Sequence, residues 1–260
     1  MGMVMIGHRV GWASLVCLLV LSACSQRQPV HSVAELAGKE IAVPTGTVAD
    51  RLVQEKLPTA KLVYFNSALD AVQAVKSRKA DAAAYDEPIL RNIAAKNPGL
   101  KVLPEPITID DYGFAVRLGD TELKAAIDAV VAELRANGGY DDMTARWLPK
   151  SGDPAPMPDI PVGEGPPLRF GTSAVTEPFS FVDGSQKIVG FDIEIARRVA
   201  QRLGRKIEVV NMEFGSMIPA LQANKVDMIG ACMTITAERA TRVLFSEPYY
   251  RGGMSAIVAE

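Results

Sequence analysis

Arg239 stands three residues after Thr236, in a stretch, Thr236-Ala237-Glu238-Arg239, that reads as a helix opening on a threonine. A cation at the positive end of a helix is disfavoured by roughly 0.3–1 kcal/mol. A guanidinium there is accounted for if it grips an anion, to which it donates two parallel hydrogen bonds. On residue type alone, a solvated surface arginine is the simpler reading. Thr234 is spaced to donate its hydroxyl to the same anion, or merely to stabilise the turn. In Pro44-Thr45-Gly46-Thr47-Val48, Thr47 reads as a helix opening whose free amides near Val48 would cradle a second anion; an ordinary cap fits equally well. Asp86 closes an apolar run and precedes Glu87-Pro88, so it is either a helix start or a carboxylate waiting for a cation. No paired acid and base stand out, so these residues suit recognition better than bond breaking.

The elements that must position them follow from hydrophobic periodicity. Glu40 to Val43, Lys61 to Phe65 and Asp81 to Tyr85 read as buried strands. Helices fall between them: Thr47 to Lys56, a face marked by Leu69, Val72 and Val75, then Glu87 to Lys96. Alternation of helices with short apolar strands indicates an α/β unit with a largely parallel sheet. A long helix from Thr121 to Asn137 stops at Gly138-Gly139, and another runs to Trp147. Residues 151–167 then carry six of the chain's 17 prolines and no periodicity, the mark of an extended linker. Beyond it the pattern restarts: strands Leu168 to Gly171, Ile207 to Val210 and Asp227 to Ala231, with helices Phe191 to Leu203 and Gly215 to Ala223. The halves share an echo. Residues 74–81 and 220–227 both read as a helix end, a basic turn and an Asp opening a strand, although many α/β units converge on such a turn.

The chain has 260 residues, 48% hydrophobic and 22% charged, which suits a soluble globular protein of one large or two small domains. A net charge of −2 gives no reason to expect nucleic acid or an anionic membrane as partner. Cys17 and Cys24 lie near the N-terminus and leave Cys232 alone, so the folded part has no internal disulfide. With two histidines, neither a metal site nor any other cofactor is expected. His8 and Arg9 precede an apolar run, Val10 to Leu21, too short to span a bilayer core of about 30 Å but suited to a signal peptide. Leu21-Ser22-Ala23-Cys24 resembles a bacterial lipobox. That resemblance implies cleavage before Cys24 and lipid attachment to its sulfur, with Ser25 favouring the outer membrane of a Gram-negative cell; an ordinary signal peptide with an incidental cysteine is the alternative.

From Leu168 onward the chain resembles the first lobe of the family 3 solute-binding proteins, the amino-acid-binding components of ABC importers. The residues that carry this are Pro178-Phe179-Ser180-Phe181, Gly190 to Ala196, Ile218-Pro219-Ala220-Leu221, Lys225 to Ile229, Thr234 to Arg239 and Phe245 to Tyr250. Residues 32–150 resemble the remainder of the family, through Leu36-Ala37-Gly38-Lys39, Gly46-Thr47, Lys79 to Ala82, Asp86-Glu87-Pro88, Tyr112-Gly113-Phe114-Ala115 and Gly139-Tyr140 with Trp147. In the usual order that remainder comes second. The resemblance therefore implies a two-lobed α/β fold of the type II periplasmic-binding-protein kind, circularly permuted. A piece of a tandem array is the other account of the order. The implied organisation is a signal peptide over 1–23, a tether over 24–31, lobe 2 from 32–112 plus 252–260, lobe 1 from 113–150 plus 168–251, and a linker over 151–167 joining the family's usual ends.

A free amino acid carries a carboxylate and an ammonium group, and burying each costs several kcal/mol unless it meets a partner. The resemblance assigns the carboxylate to Arg239 and Thr234, with Thr47 and Val48 as the second cradle, and the ammonium group to Asp86. It places Phe214, and less strongly Phe179, as walls of the side-chain pocket, and Cys232 beside the cleft through its backbone with its thiol in packing. The chain also departs from the family. Thr176 stands where many members have an aromatic residue and Ser173 where several have Asp, which suggests a wider or more polar pocket. Glu177 either favours a cationic ligand or faces water. The implied function is capture of an amino-acid-like solute by hinged lobe closure and delivery to an ABC transporter permease, with a lipid anchor as the only membrane contact. The competing functions are a prephenate or arogenate dehydratase using Glu177 or Glu87 as acid, and a sensory or interaction module.

Overall fold

The computed structural model describes Gly2, residues 29–149, residues 155–161 and residues 163–260. The expected signal peptide, the lipidation site Cys24 and part of the linker lie outside the described residues.

Two five-stranded sheets form the bodies of two lobes. In lobe 2 the strand Glu40–Pro44 pairs in parallel with Lys61–Phe65 and Ala82–Asp86. Ala82-Ala83-Ala84 is buried throughout, because helices cover both faces of a parallel sheet and leave no solvent side for alternation. The sheet continues with Met254–Ala259, antiparallel to Ala82–Asp86 (Met254 opposite Asp86) and to Leu100–Val102. In lobe 1 the order is Arg205–Asn211, Gly165–Thr172, Met228–Ile229, Ala115–Val116 and Leu244–Phe245. The two sheets share one plan: parallel strands, with an antiparallel strand from a distant part of the chain laid beside them.

Two short strands carry the chain between the lobes. Asp110–Tyr112 and Tyr250–Gly252 pair antiparallel, Tyr250 opposite Tyr112, and each runs on into the sheet of the other lobe. The crossing is tight at Gly253, where a Cβ would sit 2.1 Å from the Thr108 carbonyl oxygen. Lobe 1 is completed by helices Thr121–Ala136 and Gly139–Trp147 against helix Phe191–Arg202. The fully buried Glu194 fixes the second of these, accepting bonds from Arg146, Arg198 and the Trp147 indole at 2.6–3.1 Å.

The echo between the halves is structural. Arg78 and Asn224 both adopt left-handed backbone (φ 59° and 58°). The amides of Lys79 and Lys225 return to Ala74 and Ala220 at 2.8 and 2.9 Å. The Asp81 and Asp227 carboxylates then accept the backbone amides of Glu40 and Arg169 in the neighbouring strands.

Three expected boundaries shift. Helix Ala49–Lys56 begins after Thr47, with Val48, whose side chain cannot accept a hydrogen bond, at its cap, while Thr47 Oγ1 donates to the Pro44 carbonyl and accepts the Ala49 amide from one residue further back. The helix expected from Gly215 is a 3-10 turn, Phe214–Ser216, followed by helix Met217–Gln222. The linker is shorter than its prolines suggest: Gly165 to Pro167 belong to the strand Gly165–Thr172, whose start pairs with Arg205. Among the described residues no helix is long and apolar enough to cross a membrane, and no cluster of His, Cys, Asp and Glu is arranged to hold a metal ion.

Candidate functional site

A cleft of about 560 Å³ lies between the lobes. Lobe 2 contributes Pro44 to Thr47, Asn66 to Ala68, Asp70 and Tyr85; lobe 1 contributes Ser173, Val175, Thr176 and Glu213 to Gly215. Each of these groups lies at or just beyond the C-terminal end of a sheet strand, where open α/β sheets leave crevices for ligands. The lobes meet at the rim. Gly46 and Gly215 approach so closely that a Cβ on Gly46 would stand 3.3 Å from the Gly215 Cα. Lys96 of lobe 2 reaches Glu177 of lobe 1 at 2.6 Å.

Of the expected site residues, Thr47, Thr176 and Phe214 line this cleft. Arg239 is 6% exposed. Its helix opens as the sequence indicates: Thr236 caps Ala237–Ala240 and accepts the Arg239 amide at 3.2 Å. Its guanidinium lies 5.2 Å from the centre of the Phe214 ring and donates to the Thr234 carbonyl at 3.0 Å. Burial lowers the Arg239 pKa, and nearby Asp86 partly offsets this. A buried cation is costly unless it acquires an anionic partner, and this one donates a single hydrogen bond, to a backbone carbonyl.

Asp86 ends its strand buried, and its Oδ1 accepts the Tyr112 hydroxyl at 2.6 Å. Burial pushes its pKa up to about 7, against the pull of Tyr112 and Arg239. Neither Arg239 nor Asp86 lines the cleft, nor do Thr234, Val48 and Cys232. Arg239 and Asp86 nevertheless act on each other from opposite lobes, each beside a lining residue, Phe214 and Tyr85 respectively. Cys232 is buried, with a left-handed φ of 52° and its amide donating to the fully buried Asp192 at 3.1 Å. That bond fixes the loop leading to Thr234, and burial pushes the thiol pKa up.

Three expectations are revised. Phe179 is not a pocket wall: it is fully buried among Tyr112, Phe191 and Tyr250 behind the hinge. The cradle near Val48 is narrower than expected, since Thr47 Oγ1 takes the Ala49 amide and Asp50 takes that of Arg51. Glu177 is held by Lys96 rather than facing a ligand or water alone. Thr176 donates to the Ser173 carbonyl at 2.9 Å, so the position often aromatic in the family carries a small, internally bonded side chain.

Asn66, Ser67, Asp70, Tyr85 and Glu213 line the cleft but were not singled out in the sequence. The signal was available for the first three, which follow an apolar strand just as Gly46-Thr47 does.

Residues 168–260 match the family model of the bacterial extracellular solute-binding proteins, family 3. The chain is 46% identical over 83 residues to an arginine-binding extracellular protein of Bacillus subtilis, covering 32% of each. It is 30% identical over 127 residues to a glutamine-binding ABC transporter protein of the same organism, covering 48% of this chain and 46% of the relative. A solved periplasmic binding protein of Salmonella typhimurium, described for its high arginine specificity, is 43% identical over 33% of this chain and 38% of its own, with a TM-score of 0.33. The matches span about a third to a half of these relatives' lengths.

Proposed function

We propose that this chain, whose residues 168–260 match the bacterial extracellular solute-binding proteins, family 3, captures a small α-amino acid between its lobes for an ABC importer. The observation that carries this reading is the buried Arg239, nearly without acceptors, acting across the lobe boundary on the buried Asp86. The guanidinium takes the ligand carboxylate and Asp86 its ammonium group, so each buried charge acquires a partner. Thr234 and the turn at Thr47 and Val48 border the carboxylate, Phe214 lies against the ligand, and Cys232 serves through its backbone. Closure draws its free energy from contacts that exist only when both lobes reach the ligand.

The ligand side chain points toward Asp70 of lobe 2 and Glu213 of lobe 1, which line the cleft from opposite sides. Small residues at Ser173 and Thr176 leave length for it. A cationic side chain fits this end, in keeping with the arginine-binding relatives of Bacillus subtilis and Escherichia coli. A thermal-shift screen of the twenty amino acids tests the class. Arginine or lysine is expected to raise the melting temperature most, with about 2.7 kcal/mol of added stability at a hundred times the dissociation constant. A screen in which no amino acid raises it refutes the reading. The dehydratase reading gains nothing from the geometry, since Glu177 pairs with Lys96 and Glu87 with Arg91.

Lipid attachment at Cys24, with the folded part held in the cell envelope, belongs to the same proposal. So does the permuted order of the lobes. It is supported by the strand Met254–Ala259, which lies inside the lobe 2 sheet although more than 140 residues separate it from Val102. A rearranged chain running from Pro167 to Glu260, through a short Gly-Ser joint into Ser32 and on to Lys150, is expected to fold and bind the same amino acid. If that chain aggregates or ignores the ligand while the parent binds it, the permuted reading fails.

A further inference from the structure

Tyr112 belongs to the Tyr112-Gly113-Phe114-Ala115 run, which the binding reading leaves without a role. It lies on the hinge strand Asp110–Tyr112, and its backbone bridges to Thr234 while the next amide, Gly113, donates to the Met233 carbonyl at 3.0 Å. The ring is fully buried, stacked on Tyr250 with centroids 5.7 Å apart and edge-on to Phe179 at 6.2 Å. A phenylalanine would make these ring contacts equally well. What it would lack is the hydroxyl, which donates at 2.6 Å to Oδ1 of Asp86, the last residue of a lobe 2 strand.

We propose that Tyr112 is a positioning residue: from the hinge it aims the Asp86 carboxylate at the ligand ammonium group and keeps it ionised, so one hydrogen bond ties hinge geometry to ligand recognition. The proposal rests on Asp86 being the ammonium partner. The ionisable groups acting on Asp86 are Tyr112 and Asp110 from the hinge strand, Arg239 from the helix Ala237–Ala240, Cys232 from the preceding loop and Tyr85 from its own strand. Burial raises the carboxyl pKa most, and the Tyr112 bond is the foremost influence lowering it. A hydrogen bond to the charged form is what keeps such a group available as an anion.

Tyr112→Phe removes one oxygen and keeps the ring. In titrations of L-arginine from pH 5.5 to 9, the wild type is expected to lose affinity below about pH 7. In the variant, the midpoint of that loss moves up by about one pH unit. Affinity at pH 7 then falls about fivefold, while the two proteins converge near pH 9. The Asp86 carboxyl, followed by carbon-13 NMR without ligand, titrates with the same shift. Replacing Tyr112 by 3-fluorotyrosine, a stronger donor of the same shape, moves the midpoint the other way. An unchanged midpoint in the variants, beside a pH-dependent wild type and an Asp86→Asn variant that has lost arginine binding, overturns the role of Tyr112 alone. A flat wild-type profile, with Asp86→Asn binding normally, overturns the Asp86 assignment and the proposal with it.

Discussion

Arg239→Ala is expected to weaken amino-acid binding by about 30-fold at least, since losing one partner of a buried, hydrogen-bonded charge pair costs about 2–5 kcal/mol. The ligand carboxylate would enter a buried site with no cation, and neither the Phe214 ring nor the Thr234 carbonyl can replace one. The fold should not suffer. Arg239 donates one hydrogen bond, to a carbonyl of its own loop, and its burial costs the ligand-free protein rather than stabilising it. Urea unfolding without ligand should therefore give the variant a midpoint equal to or above that of the wild type, while calorimetry with L-arginine shows the loss. Retained affinity with an intact fold would remove Arg239 from the site.

Asp86→Asn is expected to abolish amino-acid binding and yet stabilise the ligand-free protein above neutral pH. In the folded state the Asp86 pKa stands at about 7, above its ordinary 3.8. The folded form therefore holds more protons than the unfolded one between these values. Stability falls as pH rises through that window, and above about pH 7 the full cost applies, up to ~4 kcal/mol for a shift of about three pH units. Asparagine keeps an acceptor for the Tyr112 hydroxyl and removes the charge. The variant should gain most near pH 8 and nothing near pH 4, as read from denaturant midpoints. Ligand affinity gives the complementary curve. A protonated Asp86 cannot pair with an ammonium group, so the wild-type dissociation constant should rise about thirtyfold between pH 8 and pH 5.5. Asp192, buried and likewise raised to about 7, adds to the stability curve of both proteins equally, so the difference between wild type and Asp86→Asn isolates Asp86. Equal stability of Asp86→Asn and wild type at pH 8 would contradict the argument that this carboxylate is strained for binding.

What could be read from the sequence was what local chemistry decides. Apolar runs such as Ile41 to Val43 and Ala82 to Tyr85 became strands because parallel sheets bury both faces. The helix at Thr236 opened where a threonine could cap it, and Arg239 emerged buried rather than solvated. The paired turns at Arg78 and Asn224 proved to be one design used twice. What the sequence hid was set by contacts between distant segments. Glu177 was open to two readings until Lys96, 81 positions away on the other lobe, was found beside it. Phe179 could be a wall or core filler, and only the hinge tyrosines Tyr112 and Tyr250 packed around it decide. Thr47 kept its place at the cleft while the helix start moved past it, its hydroxyl donating to the Pro44 carbonyl and accepting the first helical amide from outside the helix. Tyr112 carried part of the resemblance without its purpose being visible, since its partner Asp86 stands 26 positions away at the end of a different strand.

The most direct test is a calorimetric titration of L-arginine into the intact chain near pH 8, followed by lysine, glutamine, histidine and glutamate under the same conditions. The account predicts saturable binding at one site per chain, strongest for a cationic side chain and weakest for glutamate, whose carboxylate would meet Asp70 and Glu213. Absence of saturable binding for every one of these ligands, in a chain that unfolds cooperatively, would contradict it.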